Sequence, residues 1–528
     1  MPEFATLPDL INQQADARAG HPAVVLPDST MTYKALRERS DDIARGLIGL
    51  GVQPGDRVGY FLPEGPHSLP VLFGVLKSGA TAVPINNRFK AFELQKVLSQ
   101  VGLAVLLTAP ARHSAAADLI SILDETLPSV PVIEHVVNLE DDTLRDAAAT
   151  VPPGAVAERE AGVAASDVAV IKYTSGTTGA PKGAMLNHGA MLSAASGAAA
   201  AHLRLNSEDV VWSALPLFHI GGVAFALSCF CVGCVFLHPG YFDADVAVKQ
   251  MIRHGATVAM PAFETIWLPV VNHPRWQEVD RLRLVECTGT EQMLRDLQSR
   301  HPEAPVVSCF GMTEACGFLS LSLPDDPLET RINTGGHPLP GMEAKIVDPE
   351  TGTVVAANTP GEICFRGPNT FDGYFADEAM NAQVFDEDGF FHTGDLGTMD
   401  EAGRVTFRNR LKDMLKVGGE NVAAAEVEDY LITHPAVHLV QVVAAPDARY
   451  VEVPAAFVEL NPGAQATEQE IIDYCRGAIA TFRVPRYVRF VAEWPMSGTK
   501  IKKYALREQI RDELEAAGIR EAPKLSSS

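Results

Sequence analysis

The chain has 528 residues, a length that one compact core rarely serves, so two or more domains are expected. Hydrophobic residues make up 47% and charged residues 21%, the balance of a globular protein and not of a disordered or fibrous one. With 43 Lys and Arg against 66 Asp and Glu the formal charge is −23, which argues against nucleic acid and anionic lipid as partners. Anionic small molecules stay open, because a few aimed lysines or helix N-termini reverse the potential inside one cleft.

The first twenty residues, MPEFATLPDLINQQADARAG, hold neither a basic n-region nor an unbroken apolar stretch and do not read as a secretory signal. Between Arg57 and Phe89 a short β-rich run, a helix-length apolar stretch and a strand-like run at Thr81–Pro84 succeed one another, the signature of α/β layering. This alternation recurs through the first four hundred or so residues, with turn clusters such as GVQPGD and VPPG between elements.

YTSGTTGAPKG, from Tyr173 to Gly183, is too rich in glycine and hydroxyls for a helix or a strand interior. Small residues leave backbone N–H groups free to converge on an anion, and hydroxyls and a lysine add donors and charge. The NTPase loop G-x-x-x-x-G-K-[ST] is not matched: Pro181 precedes Lys182, and Gly183 stands where that loop carries its magnesium-binding hydroxyl. Taken alone, the stretch fits a polyphosphate loop and a flexible surface turn equally well.

The longest apolar run, Val223 to Leu237, is too short for a membrane span and is expected to form buried helix and strand. It contains Cys231 and Cys234 at C-x-x-C spacing with no second ligand pair nearby, so core packing is expected in place of metal binding. Eight cysteines without framework spacing imply free thiols and a cytoplasmic setting. Near the C-terminus, Thr467 is expected to cap a helix with Glu470 three positions on, its apolar face formed by Ile471, Ile472, Cys475, Ala478 and Ile479. AEVEDYLITHPAVHLVQVVAAPD reads as helix, proline break and strand, and RYVRFV as a half-buried strand, which together make a second, smaller α/β unit.

Six segments occur in an order that resembles the adenylate-forming acyl-CoA synthetases, the superfamily that also holds firefly luciferases and peptide-synthetase adenylation domains. They are YTSGTTGAPKG, PLFHIGG (Pro216–Gly222), FGMTE (Phe310–Glu314), GEICFRGP (Gly361–Pro368), HTGDLG (His392–Gly397) and RLKDMLKVGGENV (Arg410–Val422). The resemblance spans nearly the whole chain. It implies an α/β fold with a large N-terminal domain of layered sheets, residues 1–411, and a small mobile C-terminal α/β domain, residues 412–528, hinged near Lys412. It implies ATP, Mg²⁺ and coenzyme A as cofactors and co-substrates, and a carboxylic acid as the partner molecule. The reaction would activate the acid as acyl-AMP, with release of pyrophosphate, and pass it to CoA.

By the same resemblance Thr174, Ser175, Gly176, Thr177, Thr178, Gly179 and Lys182 would hold the β- and γ-phosphates. Thr313 would touch phosphate, Glu314 would hold Mg²⁺, and Phe310 would flank adenine. Asp395 would bind the ribose hydroxyls with Arg410 as a further ribose or phosphate contact, and Gly418 and Gly419 would close on pantetheine. His219 takes the position that borders the acyl pocket. The catalytic lysine falls in PMSGTKIKK, Pro495–Lys503, which is one residue shorter than the family's segment and lacks its glycine directly before the lysine. Lys500, followed by Ile501, fits best, with Lys502 in reserve. Ala424 stands where proline is usual, at a cost in loop stiffness.

Peptide-synthetase domains place an aspartate after the aromatic of PLFHIGG, and here Phe218 is followed by His219, so an amino-acid substrate is disfavoured. Gly311 stands where acetate-specific relatives carry a bulky aromatic, which implies a deeper pocket. Val223, Ala224, Phe225, Cys287, Cys309 and Cys316 make the surrounding text apolar, and a medium or long chain or a ring-bearing acid is expected. CTGTEQM, Cys287–Met293, departs from the usual G-G-A-P beside adenine and acid. Two rival readings stand: an acyl-AMP ligase that loads a carrier protein, and a nucleotide-binding homologue with weakened catalysis.

Overall fold

The computed structural model describes residues 4–525 except 112–117, 175–180, 290, 412–413, 418–419, 477, 480, 498–499 and 524. Also outside the description are the side chains of residues 92, 264–265, 409–410, 414, 416, 420–421, 423, 426, 497 and 500. The chain forms two compact units, one of residues 1–344, 365–391 and 402–406, the other of residues 345–364, 392–401 and 407–528. The expected hinge at Lys412 lies outside the described residues.

The first unit holds two large sheets. Val306–Val307, Leu284–Thr288, Val258–Phe263, Val210–Trp212, Val235–Leu237, Pro22–Leu26 and Ser29–Thr32 form a seven-stranded sheet in that order, parallel except for the last pair. The second sheet runs His135–Asn138, Val105–Thr108, Arg57–Phe61, Thr81–Pro84, Val168–Thr174 and Lys182–Asn187, parallel until its closing antiparallel pair. Parallel strands are covered on both faces, which is why VLLT and TAVP are buried at every position.

The α/β reading of Arg57–Phe89 holds: strand Arg57–Phe61, helix Ser68–Lys77 and strand Thr81–Pro84. Every residue of that helix is buried, Lys77 included. Its ammonium meets Asp41 at 2.6 Å and Glu160 at 2.7 Å, the pairing that a buried charge requires. Val223–Leu237 also falls out as expected, within helix Ile220–Val232 and strand Val235–Leu237, with Cys231 and Cys234 buried as free thiols among eight.

In the second unit, Glu420–Ala423, Met414–Val417, Val451–Leu460 and Val437–Asp447 form a sheet, with Tyr487–Phe490 parallel to Val451–Leu460. Successive side chains of a strand face opposite sides, and Val437–Asp447 supplies one core from each face. Val440, Val442 and Ala444 join Val427, Leu431, Ile471 and Cys475. Val443 and Ala445 join Leu506, Ile510 and Leu514, one stripe of the closing helix Lys503–Ala516.

Thr467 and Glu470 form the expected reciprocal capping box. The helix they begin ends sooner than the apolar spacing implied. It closes at Cys475, because Arg476 turns to extended backbone with ψ 132°, so Ala478 and Ile479 lie beyond it.

Candidate functional site

Strand Val168–Thr174 returns as Lys182–Asn187, with Thr174 opposite Lys182 and Tyr173 opposite Gly183, so the glycine-and-hydroxyl stretch joins two paired strands. Thr174 Oγ1 donates to the Lys182 carbonyl at 3.4 Å. Ser175, Gly176, Thr177, Thr178 and Gly179 lie outside the described residues, so of the expected phosphate contacts the structure places Thr174 and Lys182.

Along the outer edge of Lys182–Asn187 runs the segment Asp372–Phe375, tied to it by Asp372 N to Met185 O at 2.9 Å and Phe375 N to Gly183 O at 2.7 Å. This brings Tyr374 under the lysine. Lys182 Nζ lies 5.2 Å above the Tyr374 ring centroid and 3.6 Å from Met380 Sδ. The Tyr374 hydroxyl donates to Glu314 Oε1 at 2.7 Å, with both side chains buried. A cation, a ring and a carboxylate are thus held in series, and the tyrosine fixes the carboxylate through one oxygen.

Glu314 sits in the turn Thr313–Ala315, and its carbonyl accepts from Phe371 N at 3.0 Å. Phe310, just before the turn, is buried in strand Cys309–Phe310, paired with Ser320–Leu321. The turn doubles back tightly: a Cβ on Gly311 would lie 1.9 Å from the Gly317 carbonyl oxygen. No side chain fits at Gly311 without a shift of the backbone facing it.

His219 caps helix Ile220–Val232, its Nδ1 accepting from Gly221 N at 3.2 Å. Val223, Ala224 and Phe225 on that helix are buried, and the Phe225 ring lies 5.6 Å from that of Phe318, just after the turn. Of the other residues expected around the acid, Cys287 and Cys316 are buried and Cys309 is part-exposed.

Sequence reasoning missed Tyr374 and Lys172. Lys172 occupies the strand that leads into the loop, is buried, donates from Nζ to Pro84 O at 3.3 Å and lies 5.6 Å from the Phe218 ring. Burial lowers its pKa from 10.5 to about 7. A charged residue inside the apolar run VAVIKYT was the signal available for it. For Tyr374 no local signal existed, because its partner is sixty residues away.

In the second unit Asp395 is buried on strand Phe391–Met399. Its approach is braced: Glu362 accepts from Gly394 N at 2.8 Å and meets His392 Nδ1 at 2.8 Å, and Thr393 Oγ1 donates to Ile363 O at 2.7 Å and accepts from Asp395 N at 3.0 Å. Gly394 has φ +68°, which a side chain rarely adopts. The backbone of Lys500 lies in the short strand Lys500–Ile501, paired antiparallel with Met496–Ser497, and Lys502 N donates to Pro495 O at 2.7 Å. Gly418, Gly419 and the side chains of Arg410 and Lys500 lie outside the described residues.

Comparison with known proteins adds the following. Residues 11–375 match the family of AMP-binding enzymes, and residues 426–500 the AMP-binding enzyme C-terminal domain. The chain is 34% identical to a Mycobacterium tuberculosis protein, the 3-[(3aS,4S,7aS)-7a-methyl-1,5-dioxo-octahydro-1H-inden-4-yl]propanoyl:CoA ligase, over 96% of this chain and 99% of that one. It is 29% identical to the human mitochondrial medium-chain acyl-CoA ligase, covering 93% of this chain and 85% of that protein. Among solved structures it is similar to an anthranilate CoA ligase in complex with anthranoyl-AMP, at 26% identity and a TM-score of 0.86, over 98% of this chain and 99% of that one.

Proposed function

This chain belongs to the AMP-binding enzyme family and is an AMP-forming acid–thiol ligase that uses ATP, CoA and a carboxylic acid; we propose that its acid is hydrophobic, of medium or greater length or ring-bearing. The observation that carries this reading is the buried apolar helix Ile220–Val232 against the Glu314 turn, with His219 and not an aspartate following Phe218. Each methylene that such a wall buries contributes about 0.8 kcal/mol. The ring-bearing and medium-chain acids in the names of its relatives point the same way.

A carboxylate and a triphosphate repel one another, so adenylation rests on positive charge and positioning. Lys182, held above Tyr374, and Thr174 receive the phosphate tail together with the loop 175–179. The acid's oxygen bonds to the α-phosphorus as pyrophosphate leaves, and the CoA sulfur then bonds to the acyl carbon as AMP leaves. Thr313 contacts phosphate, Asp395 and Arg410 the ribose, and Phe310 the adenine.

Glu314 fits a magnesium ion: the Tyr374 hydroxyl fixes Oε1, and a carboxylate offers a second oxygen to a hard cation. The ion would supply charge neutralisation at the phosphates. Lys500 steadies the acid's carboxylate during adenylation, and Gly418 and Gly419 admit pantetheine in the second step. Residues 412–528 act as a swivelling domain with Lys412 as hinge, since one small domain serves both steps only by rotating. His219 shapes the acyl site as a helix cap and not as an acid or base. Eight free thiols accord with a reducing cytoplasm, and among the described residues no helix is long and apolar enough to cross a membrane.

The test is a panel of acids from acetate to palmitate with aryl and polycyclic members, reading acyl-CoA by mass spectrometry. Turnover is expected to rise with apolar size. Preference for acetate would contradict the reading, and acyl-AMP that never reaches CoA would favour loading of a carrier protein.

A further inference from the structure

Two neighbouring strands bring three side chains that can ligate a metal to one place, and all three belong to the second unit. Glu362 and Cys364 stand two residues apart on strand Gly361–Arg366, so their side chains leave the same face. His392 lies on the adjoining strand Phe391–Met399. Its Nδ1 is 2.8 Å from Glu362 Oε2 and 3.4 Å from Cys364 Sγ. The ring nitrogen, the sulfur and a carboxylate oxygen all lie within 4.8 Å of one another.

One nitrogen thus faces two partners. A proton on Nδ1 can be aimed well at only one of them, whereas a cation among the three takes a lone pair from each. Bonds of about 2.0–2.3 Å in a tetrahedral zinc site set neighbouring ligand atoms roughly 3.3–3.6 Å apart. The distance from Nδ1 to Sγ already fits, and that from Nδ1 to Oε2 has to open by about half an ångström. Glu362 Oε1 accepts from Gly394 N at 2.8 Å, which steadies the carboxylate while its other oxygen turns to the ion. The side chains of His392 and Glu362 are 27% and 12% exposed above the buried Cys364, so solvent gives a path for the ion and for a water as fourth ligand.

We propose that Glu362, Cys364 and His392 bind a zinc ion that ties strands Gly361–Arg366 and Phe391–Met399 together beside Asp395. A thiolate and an imidazole select zinc over magnesium, which takes oxygen ligands. On binding, the Cys364 thiol gives its proton to solvent and the imidazole carries its proton on Nε2. Glu314 lies in the first unit, so this site is separate from the one that fits magnesium.

The experiment titrates metal-free protein, in excess magnesium, with cobalt(II) and then with zinc. Cobalt substitutes for zinc, and its bond to a thiolate gives a charge-transfer band that the oxygen ligands of a magnesium site do not. One cobalt per chain with that band, displaced by zinc, is the expected result, and zinc is expected to raise the unfolding temperature by roughly 2 °C or more. Both effects are expected to vanish in Cys364→Ala and in His392→Gln. The second variant alters a part-exposed side chain and so decides the matter if loss of the buried thiol upsets folding. No band in the wild-type protein, a band that persists in either folded variant, or an unfolding temperature that zinc leaves unmoved overturns the inference. None of these readouts depends on the acid activated, so the proposed function stands or falls separately.

Discussion

At Lys182 the ammonium rests 5.2 Å above the Tyr374 ring, and the same ring's hydroxyl holds Glu314 at 2.7 Å. Tyr374→Phe keeps the ring under the lysine and deletes the hydrogen bond to the carboxylate. Hydrogen bonds to charged groups contribute roughly 1.5–3 kcal/mol, so adenylation is expected to slow by about ten- to hundredfold, with a higher magnesium requirement. Pyrophosphate release titrated against magnesium reads both, and an unchanged magnesium dependence would sever Tyr374 from Glu314. Lys172 makes a second prediction. Its folded-state pKa of about 7 lies below that of a free lysine, so from about pH 7 to pH 10 the unfolded chain holds a proton that the folded chain lacks. Stability rises with pH through that window, and below it the whole cost of the buried ammonium is felt. Lys172→Met is therefore expected to be the more stable protein near pH 6, by roughly 3–5 kcal/mol, with the gap closing near pH 10. Thermal unfolding at the two pH values checks this, and an equal gap at both would show that Lys172 does not titrate as described.

Elements were legible where their determinants are local. The capping box of Thr467 and Glu470, three residues apart, specified a helix start, and Thr467→Ala is expected to cost about 1 kcal/mol in chemical denaturation of the second unit. A loss within error would mean that the helix is held by Ile471 and Cys475 alone. Arg57–Phe89 and Val223–Leu237 were likewise readable, from β-rich runs and from apolar length. The end of the helix at Cys475 was not, because the apolar spacing continues past the turn at Arg476. Nor was the site's arrangement beyond its motifs. Tyr374 acquires its meaning from Glu314 and Lys172 from Phe218, pairs made by the meeting of distant strands and turns that no local pattern encodes. The need for glycine at Gly311 was not legible either, because the Gly317 carbonyl that a Cβ would meet is brought there by the tight turn between them.

The whole molecule carries two half-reactions on one chain, and the assignment of Lys500 separates them. Lys500→Ala is expected to lower acyl-AMP formation by about a hundredfold or more while thioester formation from supplied acyl-AMP stays within severalfold of wild type. Equal loss in both would move the role to Lys502 or indicate a misfolded second unit. The central claim is that ATP is cleaved between its α- and β-phosphates to activate a hydrophobic acid. The most direct measurement is the nucleotide balance of the purified protein with ATP, CoA and such an acid, separated by chromatography. AMP and pyrophosphate formed in step with acyl-CoA are the predicted result. ADP and phosphate, or nucleotide consumption that no acid stimulates, would contradict it.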